Sequence, residues 1–156
     1  MKKLLNISDL TKDDFEKILS LSEIDKPNDN SLSSKNIGLI FEKNSTRTRL
    51  SFQVGINNLN GNYIDIRFDE LNLNRFESYE DTFEVMSCYL DAIIFRTKNH
   101  SKLELAYKYF KKPIINALSD ISHPCQAISD IYTLRKHFDR YDNFKIVWCG
   151  DLNNVL

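Results

Sequence analysis

A cluster of hydroxyl and guanidinium side chains separates an apolar run from a segment with helical periodicity. The cluster has the sequence Ser-Thr-Arg-Thr-Arg at positions 45–49. The apolar run that ends at Phe41 is typical of a buried strand, and apolar residues recur at helical spacing between Leu50 and Leu59. The first N–H groups of a helix are unpaired and carry partial positive charge, and arginine forks match phosphate geometry. We therefore predict a phosphate-binding helix start with Ser45 as its N-cap; the alternative is a basic first turn exposed to water, which would oppose the helix dipole.

Three more polar side chains lie where predicted strands end or helices begin. Arg96 follows the apolar run 92–95, and His123 and Gln126 are three residues apart, so they share one face of a helix. On position alone, Arg96 fits a surface residue equally well, and a histidine at a helix start is more often a cap or a packed side chain. Ligands of parallel α/β sheets bind at the carboxyl ends of the strands, which favours a common site for these residues.

Apolar runs alternate with helical periodicities along the chain. We predict helices that begin near Ser8, Ser45, Ser78, Ser101 and His123, with Thr11 as the cap of the first and Ser101 paired with Glu104 in a capping box. Strands are predicted at 37–41, 63–66, 92–95 and 113–117, and a further one at 145–149. This alternation predicts an α/β fold, with a parallel sheet of about four strands flanked by helices.

Composition excludes several classes of function. The 156 residues are 42% hydrophobic with a net charge of −1, which suits a globular domain and offers no basic stripe for nucleic acid. No apolar run is long enough to cross a membrane, and no Gly-x4-Gly-Lys-Ser/Thr phosphate loop occurs. The three cysteines show no paired spacing, which favours free thiols in the cytoplasm, and the histidines and cysteines form no metal-ligand quartet. His100 and His137 are interpreted as solvated residues, and Cys125 as a small buried side chain rather than a nucleophile.

Two motifs carry a resemblance to a known family. Residues 45–49 resemble the carbamoyl phosphate motif of the transcarbamylases, and the preceding Phe41-Glu42-Lys43 is similar to the ornithine version rather than the aspartate one. The segment His123-Pro124-Cys125-Gln126 matches the second signature of the family, in the same order and at a similar separation. The resemblance covers the whole chain but only the first half of a transcarbamylase.

The resemblance implies a role for each matching residue. It implies that Arg47 holds the phosphate, that Arg96 and His123 polarise the carbamoyl oxygen, and that Gln126 holds the carbamoyl nitrogen, the four forming the catalytic set. Donors aimed at that oxygen would stabilise the negative charge that develops as an amine attacks. The complete set implied for carbamoyl phosphate is Ser45, Thr46, Arg47, Thr48, Asn72, Arg96, His123 and Gln126.

Two positions extend the implied site beyond this domain. Asn72 stands where the family presents a glutamine to the neighbouring subunit, and Asn154 stands where it contacts ornithine. The resemblance thus divides the chain into a carbamoyl phosphate-binding domain, 1–142, and the first strand of a truncated ornithine-binding domain, 143–156. We expect a fragment that is inactive alone and belongs to a cytoplasmic homotrimer of arginine biosynthesis.

The implied reaction is carbamoyl transfer from carbamoyl phosphate to L-ornithine, giving citrulline and phosphate without a metal or an organic cofactor. The expected partners are therefore these two substrates, with no nucleic acid and no membrane. Two alternatives remain open: a module that binds carbamoyl phosphate without turnover, and half of a transcarbamylase for aspartate, N-acetylornithine or putrescine.

Overall fold

A parallel five-stranded sheet forms the centre of the protein. The computed structural model describes residues 3–24, 30–73, 77–138 and 145–151. The strands are β1 (Lys3–Leu4), β2 (Asn36–Phe41), β3 (Asn62–Arg67), β4 (Ala92–Arg96) and β5 (Ile114–Leu118). They lie in the order β1-β5-β4-β2-β3, and every pair is parallel. The predicted fold class is confirmed, but the sheet has one strand more than the four predicted, because two residues of β1 are too few to show a periodicity.

Helices connect the strands as predicted, and their caps determine where they begin. They are α1 (Lys12–Ser22), α2 (Thr46–Asn58), α3 (Tyr79–Tyr89), α4 (His100–Tyr109) and α5 (Pro124–His137). Thr11 and Ser78 are N-caps as predicted, although the capping box of Thr11 starts α1 after a separate 3-10 turn at Ile7–Asp9. The predicted box at Ser101 is wrong, because the side chain of Asn99 accepts a hydrogen bond from the Ser101 N–H at 2.9 Å and starts α4 earlier.

The two faces of the sheet are covered by different helices. On one face, Ile40 and Phe95 pack with Phe83 of α3 and Leu103 of α4. On the other face, alternate strand residues such as Leu39 and Ile94 pack with α2, while α5 lies against β5. This alternation follows from the period of two along a strand. The carboxyl edge of the sheet therefore lies between the two layers of helices.

The tertiary structure departs from the sequence pattern at three places. Leu50 and Val54 recur at helical spacing with the other apolar residues of α2, but they are 53% and 55% exposed, and Ile56 is the residue of α2 that is buried. His100, expected in solvent, is 4% exposed, and its Nδ1 lies 2.7 Å from the Ser119 hydroxyl. Residues 145–149 form no strand and are exposed, because no strand of the described residues lies beside them.

The chain reverses its direction across the sheet between β2 and β4. From β2 it moves to β3 at one edge, whereas from β4 it moves to β5 on the other side. The connections after β2 and β4 therefore diverge and leave a crevice at the carboxyl ends of these strands, which is where ligands of open α/β sheets bind.

Candidate functional site

A cavity of about 630 Å³ lies at this crevice. Its walls come from the start of α2, the ends of β4 and β5, and the first turns of α5. Its lining residues are Ser45, Arg47, Thr48, Ser51, Phe52, Arg96, Leu118, His123, Cys125, Gln126, Ile128 and Ser129. Segments that are far apart in the sequence therefore present their polar side chains to one volume.

The start of α2 offers hydrogen-bond donors that its own cap does not use. Ser45 occupies the N-cap position with extended backbone, but its side chain makes no capping hydrogen bond. The caps Thr11, Ser78 and Asn99, in contrast, each accept a hydrogen bond from their own helix. The first-turn N–H groups of α2 therefore remain able to bind an anion, and the exposed guanidinium of Arg47 adds positive charge beside them.

Arg96 is held at the end of β4, where its guanidinium meets the start of α2. Its carbonyl accepts a hydrogen bond from the Glu42 N–H at 2.9 Å, and its Nη1 lies 3.5 Å from the Thr48 hydroxyl. Its Nε is buried and has no hydrogen-bond partner, and no described carboxylate forms an ion pair with it. Burial lowers the pKa of Arg96. A half-buried cation without an acidic partner attracts an anion more strongly than a solvated one does.

His123 is the N-cap of α5, and Pro124 occupies the first helical position. Its Nδ1 is buried without a hydrogen-bond partner. Burial lowers the pKa of His123, the positive charge of Arg96 lowers it further, and Asp130 opposes these effects. The imidazole is therefore mainly neutral at pH 7, and a neutral ring has one N–H that can donate to an oxygen in the cavity.

Gln126 and Cys125 follow on the first turn of α5. The Gln126 side chain lines the cavity, and its Nε2 donates a hydrogen bond to Asp130 Oδ1 at 2.9 Å. The Cys125 thiol points to the Asn116 carbonyl, with Sγ 3.4 Å from that oxygen, and burial raises the pKa of Cys125 to about 11. The thiol therefore stays protonated near neutral pH, which disfavours Cys125 as a nucleophile.

Two of the predicted site residues lie outside the cavity wall, and a third cannot be placed relative to it. Thr46 begins α2 but is exposed and does not line the cavity. Asn72 is also exposed and away from it, and its carbonyl accepts a hydrogen bond from the Glu77 N–H at 3.4 Å. Asn154 lies outside the described residues. The other predicted residues, namely Ser45, Arg47, Thr48, Arg96, His123 and Gln126, share the cavity.

Sequence reasoning missed part of the wall. Ser51 lies three residues after Thr48, so helical spacing alone could have placed it on the same face. Leu118 gave no signal because it continues an apolar run, yet its φ of 143° is a conformation that a leucine rarely adopts. Its carbonyl accepts a hydrogen bond from the Thr97 N–H at 3.0 Å, so the strained residue is tied to the segment beside Arg96.

The described ranges contain neither a membrane-spanning helix nor a metal-binding cluster. None of these helices combines the length and the apolar character needed to cross a bilayer. No group of three or more His, Cys, Asp or Glu side chains in the same ranges is arranged to hold a metal ion.

Comparisons with a family model and with known sequences indicate the same family. A family model described as the carbamoyl-P binding domain of aspartate/ornithine carbamoyltransferase matches residues 2–136. An ornithine carbamoyltransferase from Methanococcus aeolicus is 41% identical over 155 residues, which cover 97% of this chain and 51% of the relative. One from Archaeoglobus fulgidus is 39% identical over 161 residues, with coverage of 99% and 52%. The chain thus spans about half the length of the curated relatives it matches.

Solved structures show the same fold. An ornithine carbamoyltransferase from Thermus thermophilus, 29% identical, has a TM-score of 0.92 over 99% of this chain and 55% of its own. The anabolic ornithine carbamoyltransferase of Campylobacter jejuni, 35% identical, has a TM-score of 0.81, covering 88% of this chain and 46% of that one. An aspartate transcarbamoylase from Trypanosoma cruzi is 23% identical, so its TM-score of 0.78, over 89% of this chain and 46% of that one, shows shared architecture alone.

The charge of Arg96 should control the protonation of His123. Because this charge disfavours the imidazolium form, we expect Arg96→Gln to raise the pKa of His123, measured by NMR titration of its ring nitrogens. Arg67→Gln is the control, since Arg67 is exposed and pairs with Asp69 outside the cavity. A His123 titration midpoint in Arg96→Gln that equals or falls below the wild-type value would contradict this electrostatic coupling.

Proposed function

The chain belongs to the aspartate/ornithine carbamoyltransferase family, and from this premise we propose that it is the carbamoyl phosphate-binding half of an ornithine carbamoyltransferase. The observation that carries the proposal is the convergence of two arginines and an uncapped helix start on one cavity. Carbamoyl phosphate is a small dianion with a carbonyl group. The cavity offers positive charge for its phosphate and neutral donors for its carbonyl and amide groups.

In this proposal the phosphate oxygens bind the first-turn amides of α2 and the guanidinium of Arg47. Ser45 and Thr48 add hydroxyl donors from the same turn. A hydrogen bond that involves a charged group contributes roughly 1.5–3 kcal/mol, so a few of them would hold a dianion against its loss of hydration. The same contacts would stabilise the phosphate as it leaves.

The carbonyl end of the substrate would face Arg96, His123 and Gln126. The side-chain amine of ornithine, in its neutral form, attacks the carbamoyl carbon and forms a C–N bond, and the proton that it loses passes to the departing phosphate. The bond between that carbon and the bridging oxygen breaks, and phosphate leaves. Arg96 and the neutral imidazole of His123 donate to the carbonyl oxygen as negative charge develops on it. Positioning and electrostatics account for the catalysis, and no metal or organic cofactor takes part.

The second substrate is proposed from the relatives and from the sequence before the helix start. The relatives described above are named ornithine carbamoyltransferases, and Phe41-Glu42-Lys43 resembles the ornithine version of the motif. Contacts to ornithine, including the one predicted for Asn154, would come from a second domain that begins near residue 143. We further propose a cytoplasmic enzyme of arginine biosynthesis.

Removal of Arg47 tests phosphate binding directly. We expect the 156-residue chain to bind carbamoyl phosphate in isothermal titration calorimetry, and Arg47→Ala to abolish measurable binding because it removes charged hydrogen bonds of about 1.5–3 kcal/mol each. Arg67→Ala is the matched control, because the Arg67 side chain is 63% exposed and pairs with Asp69 away from the cavity. Near-normal binding of carbamoyl phosphate by Arg47→Ala would refute the assignment of Arg47 to the phosphate-binding site.

Turnover separates the enzyme from the binding module. We expect the 156-residue chain to form no citrulline, and a full-length protein carrying both domains to form it from carbamoyl phosphate and ornithine. In the full-length protein, Arg96→Ala should lower the turnover number by about a hundredfold, since the loss of one oxyanion donor costs that order. Aspartate, N-acetylornithine and putrescine serve as alternative acceptors. Preference for one of them over ornithine would replace the proposed substrate.

We also propose a homotrimer assembled through this domain. The support is apolar surface on α2, where Leu50 and Val54 are 53% and 55% exposed. Leu50→Asp with Val54→Asp should dissociate the full-length trimer to monomers, as measured by sedimentation velocity. Val85→Asp is the control, since Val85 is 56% exposed on α3, which packs against the opposite face of the sheet. Wild-type protein that sediments as a monomer would contradict the trimer.

A further inference from the structure

Glu42 lies directly after β2 and binds the segment that follows β4. Its carboxylate accepts hydrogen bonds from the Thr97 hydroxyl at 2.6 Å and the Lys98 N–H at 2.8 Å, and it forms an ion pair with the Lys102 ammonium. These three donors all come from residues 97–102, the segment between β4 and the first turn of α4. The carboxylate therefore joins two turns that are 55 or more residues apart in the chain.

Backbone hydrogen bonds continue this connection along the carboxyl edge of the sheet. The Glu42 N–H donates to the Arg96 carbonyl at 2.9 Å, and the Thr97 N–H donates to the Leu118 carbonyl at 3.0 Å. Hydrogen bonds thus link the end of β2 to that of β4, and the end of β4 to that of β5. Each of these strand ends leads into a part of the cavity wall.

Lys102 extends the same contact to the turn that follows β3. Its ammonium lies 4.6 Å from the ring centroid of Phe68, and that ring stacks on Phe95 with centroids 5.8 Å apart. The Lys102 and Glu42 side chains are 27% and 16% exposed, so the ion pair is largely shielded from water. Its interaction is therefore less screened than that of a surface pair.

The protonation state of Glu42 agrees with this environment. Burial, the largest single influence, raises the pKa of Glu42, but the hydrogen bonds from Lys102, Thr97 and Lys98 together lower it below the usual value. The carboxylate is therefore ionised at neutral pH and holds its donors as an anion.

We propose that Glu42 and Lys102 form a positioning pair that fixes Arg96 relative to the start of α2. The inference rests on the proposed function, because Arg96 acts on a ligand held by residues 45–48. Neither side chain lines the cavity, so the pair acts through the turns and not by contact with the substrate. The guanidinium of Arg96 reaches the Thr48 hydroxyl at a marginal 3.5 Å, and a site that binds and polarises one small molecule tolerates displacements of only about 0.5 Å.

The test compares single and double substitutions of the pair in the 156-residue chain. Glu42→Ala removes every bond of the carboxylate, and Glu42→Gln keeps one oxygen, the acceptor that Thr97 and Lys98 share. Lys102→Met removes the ion pair and the contact of the ammonium with the Phe68 ring. Asp69→Asn is the matched control, since Asp69 forms a 2.6 Å pair with Arg67 on the same edge of the sheet but is 68% exposed. Each variant is measured for thermal unfolding, for carbamoyl phosphate binding by calorimetry, and for NMR relaxation of the Arg96 Nε–H in the free chain.

The expected result is a loss of order at Arg96 together with weaker binding. Glu42→Ala and Lys102→Met should each lower the Arg96 order parameter. Each should also raise the dissociation constant of carbamoyl phosphate by about tenfold or more, the effect seen when a group that orients a metal ligand is removed from a metal site. Glu42→Gln should recover part of both, and the double variant Glu42→Ala/Lys102→Met should be no worse than Glu42→Ala alone, because the two residues form one unit. Asp69→Asn should match the wild type.

Folded Glu42→Ala and Lys102→Met proteins with wild-type Arg96 order and binding within twofold would overturn the proposal. Should Glu42→Ala not fold, Lys102→Met decides the result, because it leaves the bonds to Thr97 and Lys98 in place. Wild-type protein that binds no carbamoyl phosphate would contradict the proposed function instead. The relaxation of Arg96 would still test the positioning pair in that case, since it needs no ligand.

Discussion

The pairing of β2 with β4 is the constraint on which the site depends. The parallel register sets Phe41 beside Arg96, so both strands end at the same level. The helix that follows β2 and the arginine that ends β4 are therefore neighbours, although 48 residues separate Thr48 from Arg96 in the chain. Because the connections then diverge, the crevice between the strands stays open. A slip of one residue in this pairing would turn every side chain of one strand to the opposite face.

The site concentrates polar groups that the protein does not satisfy by itself. Arg96 Nε and His123 Nδ1 are buried without partners, and the first turn of α2 lacks a side-chain cap. A buried polar group without a partner costs roughly 1–3 kcal/mol, so this arrangement lowers stability. The packed core offsets that cost, since Phe83 on one face of the sheet and Leu39 on the other are 0% and 1% exposed. A bound dianion with a carbonyl group would supply acceptors for these donors.

Periodicity predicted the fold well because both faces of the sheet are covered. The central strands are mostly apolar runs, and the helices carry apolar residues at helical spacing, so four strands and the α/β class could be recognised. The errors have a common physical origin. Leu50 and Val54 have the spacing of an inward stripe but lie on the outer surface of α2, and His100 is polar but is buried against Ser119. The type of a side chain indicates whether it prefers water or an apolar environment. It does not indicate which surface of a helix or strand a neighbouring element covers.

The sequence alone determined the local chemistry: a strand, a turn with hydroxyls and arginines, and a helix start that is suited to an anion. It also determined the alternation of strands and helices, because hydrophobic spacing is a local property. Only the tertiary structure decided which distant residues meet. It brought Arg96 and His123 to the start of α2, left Asn72 outside the cavity wall of this chain, and joined Glu42 to Lys102. These contacts depend on strand order and register. Both arise from interactions across the whole sheet, and no local spacing in the sequence indicates them.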